Sequence, residues 1–225
     1  NTTYGQSIVS YSANGSTATI GHGLGAVPDM IIVKKRNAVE RWCVFHTATS
    51  NAYLYLNESF TAETGNADDR FGNNTSVVQP TSSVFTVGQS NDVNGSSGTY
   101  IAYCFSSVTG YSKFGSYSGN GSTTGPVVTL GFSPAFLIIK RSNAVENWRM
   151  YDNTRSPTNP VNKILQPNEA DAEATGTNNT LNFTSTGFQL TATNGGTNAS
   201  GGTYIYMAFA DTREYAYWLD QSGNN

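Results

Sequence analysis

Apolar residues in this chain come in short runs, some alternating with polar residues and some unbroken. Gly, Asn, Ser and Pro interrupt them repeatedly, which is the pattern of β-strands joined by turns. Ser7–Tyr11 and Thr17–Ile20 read as strands divided by the turn Ala13-Asn14-Gly15, where Asn-Gly supplies positive φ at low cost. Gly21–Pro28 is a Gly-rich loop whose closing Val-Pro pushes Val27 extended. Met30–Val33 is an unbroken apolar run. In a strand, Met30 and Ile32 face one way and Ile31 and Val33 the other. Both faces then need burial, so the run predicts a central strand covered by a second sheet, a sister domain or another subunit. Arg36–Glu40 makes a short connection in which Asn37 can take the αL conformation, and Trp42–Phe45 returns as the hairpin partner. Tyr53–Leu56 is a further strand, Glu58–Asn66 is ambiguous and Asp68–Thr75 is a polar loop. Ser83–Val87 and Gly98–Phe105 close the unit around a flexible segment, Gln89–Ser97.

The pattern then occurs a second time. Met30–Trp42 reappears as Phe136–Trp148, and Tyr11–Thr17 as Tyr117–Thr123, both offset by 106 positions; Gly98–Ile101 returns as Gly202–Ile205, offset by 104. A period this long marks a tandem domain rather than a solenoid unit. The expected fold is all-β: two homologous antiparallel β-sandwich domains of jelly-roll type, with about eight short strands per copy and little helix. The first spans 1–109. The second spans 110–225 and includes a C-terminal strand or tail around Glu214–Leu219, and the junction lies near Val108–Gly110. In the second copy, Thr186–Leu190 and Gly202–Phe209 are the closing strands around Asn194–Ser200. Asn168–Ala174, rich in Ala and Glu, is the one stretch where a helical turn or two is expected.

Composition narrows the setting. Charged residues make up 12% of the 225 positions, about half the usual share, so the surface relies on Ser, Thr and Asn for solubility, as extracellular β-proteins often do. A net charge of −3 with no basic block leaves no electrostatic footprint for nucleic acid or an anionic membrane. No apolar run is long enough to span a bilayer. The absence of an initiator Met and of a signal-peptide pattern suggests a processed chain or one that begins inside a longer product. Cys43 and Cys104 correspond to Arg149 and Ala208 in the second copy, so the fold does not need a disulfide, and buried free thiols are expected rather than a Cys43–Cys104 bridge. With His22 and His46 they offer no metal-ligand spacing.

Duplication also sorts candidate chemistry. Lys34/Lys140, Asn37/Asn143, Glu40/Glu146 and Trp42/Trp148 are kept in both copies. One reading is a polar site with a Trp platform for a sugar ring. The favoured reading is a hairpin in which Asn makes the turn, Lys and Glu pair across strands and Trp fills the core. Carboxylates at Asp68-Asp69, Asp92 and Glu169–Glu173 have no Ca²⁺-loop spacing and read as solvated loop charge. No nucleophile elbow or phosphate cradle is present, and His46 aligns with Asp152, so no catalytic, cofactor or metal site is assigned. Asn-x-Ser/Thr strings such as Asn14-Gly15-Ser16 and Asn94-Gly95-Ser96 follow from composition.

Several strings together resemble a module of tailed-bacteriophage virion proteins. They are Gly21-His22-Gly23-Leu24-Gly25 with Pro28–Lys34, Tyr111–Tyr117, the Gly119–Thr123 turn, and Gly202–Ala210. The likeness covers nearly the whole chain, but the tail Glu214–Leu219 departs from it. What it implies is a structural component on the exterior of a virion, of fibre, appendage or capsid-decoration type. The implied partners are other virion proteins and copies of the chain itself, with a trimer favoured. The resemblance brings no catalytic residues and no cofactor, so no enzymatic activity is expected. The alternative it leaves open is a receptor-binding, lectin-like module taking a host surface glycan on exposed aromatics such as Tyr4, Phe71 or Trp218. A glycan-degrading enzyme is the remote alternative.

Overall fold

The structure is a computed structural model that describes residues 1–49, 51–66 and 69–210. Asp68 and the tail Glu214–Leu219, with Trp218, lie outside the described residues. The fold is nearly all β. In the first half the strands are β1 (Gln6–Ser12), β2 (Ala18–Gly21), β3 (Met30–Lys35), β4 (Cys43–His46), β5 (Leu54–Tyr55), β6 (Val84–Val87) and β7 (Thr99–Phe105). In the second they are β8 (Ser112–Ser118), β9 (Val127–Thr129), β10 (Pro134–Arg141), β11 (Arg149–Asp152), β12 (Lys163–Ile164), β13 (Ala174–Thr175), β14 (Leu181–Thr184), β15 (Gly187–Leu190) and β16 (Thr203–Ala210).

The two halves share a strand order. One sheet runs β1–β7–β3–β4–β5 and its counterpart β11–β10–β16–β8, each with all neighbours antiparallel. A smaller sheet, β2–β6 in the first half and β14–β15–β9 in the second, faces each of them. The result is β-sandwich-like. As the unbroken apolar run predicts, β3 is central: Met30 lies opposite His46 on one side and Phe105 on the other.

The two faces of β3 go to different cores. Ile31 and Val33 join Phe45, Phe85, Val87 and Tyr100 between the sheets of the first half. In the second half, Leu137 and Ile139 pack likewise with Phe188, Leu190 and Tyr204. Met30 and Ile32 instead enter a third core with Val44, Leu54, Phe114, Ile138, Trp148, Ile205 and Met207, so the large sheets of the two halves bury one face against each other. The two-sided apolarity is therefore satisfied within the chain. It gives no independent argument for a subunit contact at these strands.

Four local expectations are corrected. The Asn-Gly turn does not close a hairpin, because β1 pairs with β7 and β2 with β6, so the turn carries the chain from one sheet to the other. Gly15 does have φ 66°, and a Cβ there would crowd the Ser96 backbone. Asn37 is not αL; among the described residues the non-Gly positive-φ positions are Asn66 and Asn74. Asn168–Ala174 is not helical: residues 169–175 are all exposed, and so short a helix with no packed face is marginal. Gln89–Ser97 is anchored rather than flexible, with Asp92, Val93, Asn94 and Gly95 buried. The second-half segment corresponding to it contains the only α-helix among the described residues, α1 (Gly195–Asn198), a single turn.

Trp148 reports on the third core, since it is fully buried and its Nε1–H donates to the Tyr55 carbonyl in the other half at 2.8 Å. We expect Trp148→Ala to destabilise the protein by about 3–5 kcal/mol. Calorimetry of the wild type should give one cooperative transition. Two separate transitions would show that the halves unfold independently and that this layer does not couple them.

Candidate functional site

Each β3–β4-type hairpin holds the residues retained in both copies, but in different ways. Lys34 donates to the Glu40 backbone carbonyl at 2.7 Å, while Lys140 donates to the carbonyls of Arg141 at 2.6 Å and Ser59 at 3.3 Å. The expected Lys–Glu side-chain pair forms in neither, because a backbone carbonyl at the bend is closer to hand. Lys140 is fully buried, and burial pushes its ammonium down to about 8. Asn37 and Asn143 accept from the backbone N–H of Thr99 and Thr203, tying each hairpin to the edge of the neighbouring strand. Trp42 is half-buried and stacked on Tyr103, and Trp148 is inside the third core, so neither ring is an open platform.

Beside the first hairpin lies a polar cleft of about 350 Å³ lined by Val39, Glu40, Arg41, Asn57, Glu58 and Asp92. Its floor is Asp92, buried on the loop before β7. The carboxylate takes the Tyr55 hydroxyl at 3.0 Å and Arg70 Nη2 at 3.1 Å. Arg41 pairs with Glu58 at 3.3 Å and lies over the Tyr55 ring at 4.9 Å. Glu40 makes no ion pair among the described residues. Burial, with Asp92 adding to it, pushes the Tyr55 hydroxyl up to about 12, so it stays a neutral donor.

The second half arranges the counterparts of these residues differently. Arg149, where the first half has Cys43, reaches Glu146 Oε2 at 3.4 Å, the Asn147 carbonyl at 3.3 Å and Asn194 Oδ1 at 3.1 Å. It passes over Gly196, where any Cβ would overlap the guanidinium. Gly196 stands where the first half has Asp92. Cys43 with Asp92 and Arg149 with Gly196 are thus alternative fillings of one location, and the partly buried Arg70 supplies the cation in the first half.

One family model matches residues 1–213, that of the Domain of unknown function (DUF7483). The chain belongs to the DUF7483 family. The match runs across both halves as one unit. No curated protein and no solved structure matches the chain.

The other candidate residues of this DUF7483 chain are placed as follows. Phe71 is buried in the first core, whereas Tyr4 is half-exposed and packs on Tyr111 at 5.1 Å. Asp69 pairs with Arg70 at 2.7 Å and Glu173 with Arg155 at 3.0 Å. Asn94, in one of the Asn-x-Ser strings, has a structural part: its amide donates to the Ser16 carbonyl and Asn14 Oδ1. Asn198 repeats this on the Ser122 carbonyl and the Asn120 N–H. Their retention at the 104 offset was the available signal. No three His, Cys, Asp or Glu among the described residues form a metal-binding group.

Both cysteines are free and buried, with Cys43 opposite Val33 and Cys104 opposite Ile31, so β3 stands between them. Two strand spacings, roughly 10 Å, exceed disulfide reach. Burial pushes Cys104 up to about 12 and Cys43 well above the ordinary thiol range. A thiol reagent should label neither in the native protein and both after denaturation, with no effect of reductant on the melting midpoint. Fast native labelling would contradict this burial.

His22 and His46 are buried loop ties. His46 Nδ1 accepts from the Ala48 N–H at 3.1 Å, so Nε2 carries the proton and donates to the Tyr206 carbonyl in the other half at 3.3 Å. Burial lowers its pKa from 6.5 to about 4. Between those values the unfolded chain binds more protons, so stability rises with pH through this window. Acidification across it should remove about 3 kcal/mol. Urea denaturation as a function of pH should show this slope, and His46→Gln, whose amide offers the same acceptor and donor, should flatten it. An unchanged slope in the variant would reject the assignment.

Proposed function

We propose that the chain is a structural component of a bacteriophage virion, of fibre, appendage or decoration type, acting without catalysis on the exterior of the particle. The observation that carries this reading is the set of virion-like strings, Gly21–Gly25 with Pro28–Lys34, Tyr111–Tyr117 and Gly202–Ala210, running through both halves. In this reading the halves are tandem jelly-roll-like sandwiches, 1–109 and 110–225. A surface rich in Ser, Thr and Asn and poor in charge suits such an exposed appendage. Loops tied down by buried Asn94 and Asn198 suit a body that must keep its shape outside a cell. Its partners are other virion proteins and further copies of itself, as a trimer.

The cleft beside the first hairpin favours a second reading, a receptor-binding module for a host surface glycan, because Asn57, Glu40 and Arg41 offer polar groups to sugar hydroxyls. It favours glycan cleavage less. Asp92 and Glu58 are each already held by an arginine, leaving Glu40 as the single carboxylate without an ion pair among those lining it.

Sedimentation of the purified chain, with glycan-array and whole-cell binding on the same sample, tests these readings. A trimer without saturable glycan binding is the expected result. Saturable binding to one glycan would move the assignment to receptor recognition, and a monomer that binds nothing would overturn the fibre arrangement.

A further inference from the structure

We propose that a second copy of this chain docks head to tail on the first, repeating between molecules the joint that holds the two halves together within one. That joint runs in one direction only. The loop after β5 in the first half meets the hairpin of the second. The Tyr55 carbonyl takes the Trp148 indole N–H, the Ser59 carbonyl takes the Lys140 ammonium and the Glu146 N–H, and the Ala62 N–H donates to the Ser142 carbonyl. Among the described residues, no hydrogen bond joins the corresponding second-half loop, 168–173, to the first hairpin. A heterologous contact of this kind uses each mating surface once and leaves its counterpart uncovered.

The exposures of equivalent residues show both uncovered surfaces. Phe114, Trp148 and Met207 are buried in the third core, whereas their counterparts are open: Ile8 is 67% exposed, and Trp42 and Tyr103 are half-buried. On the other mating surface Val44 and Leu54 are buried, whereas Met150 and Leu165, which pair with each other as those two do, are half-buried. The central strand β3 is covered within the chain, and what stays open is the Ile8 flank of one large sheet and the Leu165 flank of the other.

These two flanks suit each other. Loop 57–62 recurs as 168–173, since Ala174 pairs with Ile164 as Glu63 pairs with Tyr53. The Gln166 carbonyl, like that of Tyr55, accepts the N–H three residues on, so the acceptor that Tyr55 offers to Trp148 has its equivalent. The matching donor, Trp42 Nε1–H, makes no hydrogen bond among the described residues. Repeating the joint also sets Lys34 and Arg36 of one copy beside an exposed loop of the other that carries Glu169, Asp171 and Glu173. Glu173 already holds Arg155, while Asp171 makes no ion pair among the described residues. Opposite charges across a contact steer encounter and fix register. Repeated heterologous contacts close into a ring or extend as an open row. This contact follows from the internal repeat and does not depend on the virion reading.

Sedimentation velocity of the whole chain over a concentration series, with Ile8→Glu and Leu165→Lys alongside, is the first test. Reversible self-association is expected, weakened about tenfold by either substitution. Neither side chain is fully buried, so both variants should fold, and an unchanged circular dichroism spectrum and melting midpoint would confirm it. Glu40→Cys and Ala170→Cys, made in separate chains, read the direction of the contact. Their counterparts Glu146 and Ser59 are joined by a backbone hydrogen bond of 3.0 Å, within reach of a disulfide. Mild oxidation should give a linked dimer in the mixture and not in either variant alone, since Cys43 and Cys104 are buried. A monomer at every concentration, an oligomer indifferent to both substitutions, or a mixture that cross-links no more than either variant alone would overturn the proposal. An unaffected trimer would do so while leaving the fibre reading in place.

Discussion

The apolar layer between the two large sheets is the constraint on which the rest of the molecule depends. Each half alone would expose one face of its main sheet, Met30, Ile32, Val44 and Leu54 on one side and Ile138, Ile205 and Met207 on the other. Burying those faces against each other removes from water a patch too large for a soluble surface, and it fixes the relative placement of the halves. The buried indole of Trp148, the imidazole of His46 and the ammonium of Lys140 each donate to a backbone carbonyl of the opposite half. Polar groups buried at such a joint are tolerable because they are satisfied across it.

Within that frame the copies have diverged by compensated changes. An arginine on β11 needs a glycine at 196 to pass; a cysteine on β4 leaves room for an aspartate at 92, which takes a hydrogen bond from the Tyr55 hydroxyl and is neutralised by Arg70. Neither member of a pair makes sense alone, since a buried charge without its partner costs several kcal/mol. The same duplication separates scaffold from variation. The Asn14–Asn94 and Asn120–Asn198 ties, and the Tyr11 and Tyr117 hydroxyls donating to the Val93 and Thr197 carbonyls, recur because both loops must satisfy the same buried backbone.

The asymmetry between the hairpins follows from the same joint. The loop after β5 hydrogen-bonds to the second hairpin, with the Ala62 N–H on the Ser142 carbonyl and the Glu146 N–H on the Ser59 carbonyl. Val39 is fully exposed at the first hairpin, while Val145, its counterpart, is partly covered. One copy of a repeated element is thereby committed to structure and the other left accessible, and the open cleft lies on the accessible copy.

The sequence by itself determined the strands, their duplication and the double burial of Met30–Val33. These are local matters, fixed by side-chain alternation and by a repeat visible at constant offset. It also indicated that two cysteines absent from one copy need not be bonded. Only the tertiary structure decided what covers the second face of β3, because an apolar run states a need for burial without naming the partner. It decided as well that Asn168–Ala174 is not helical, since alanine and glutamate favour a helix in a protein chiefly where one face can be buried. The cleft could not be read along the chain either: its lining comes from three separate loops, and its character depends on Arg70 and Asp92 meeting between neighbouring segments. Chain order sets which residues exist, but only packing sets which charges are paired and which are left open to solvent.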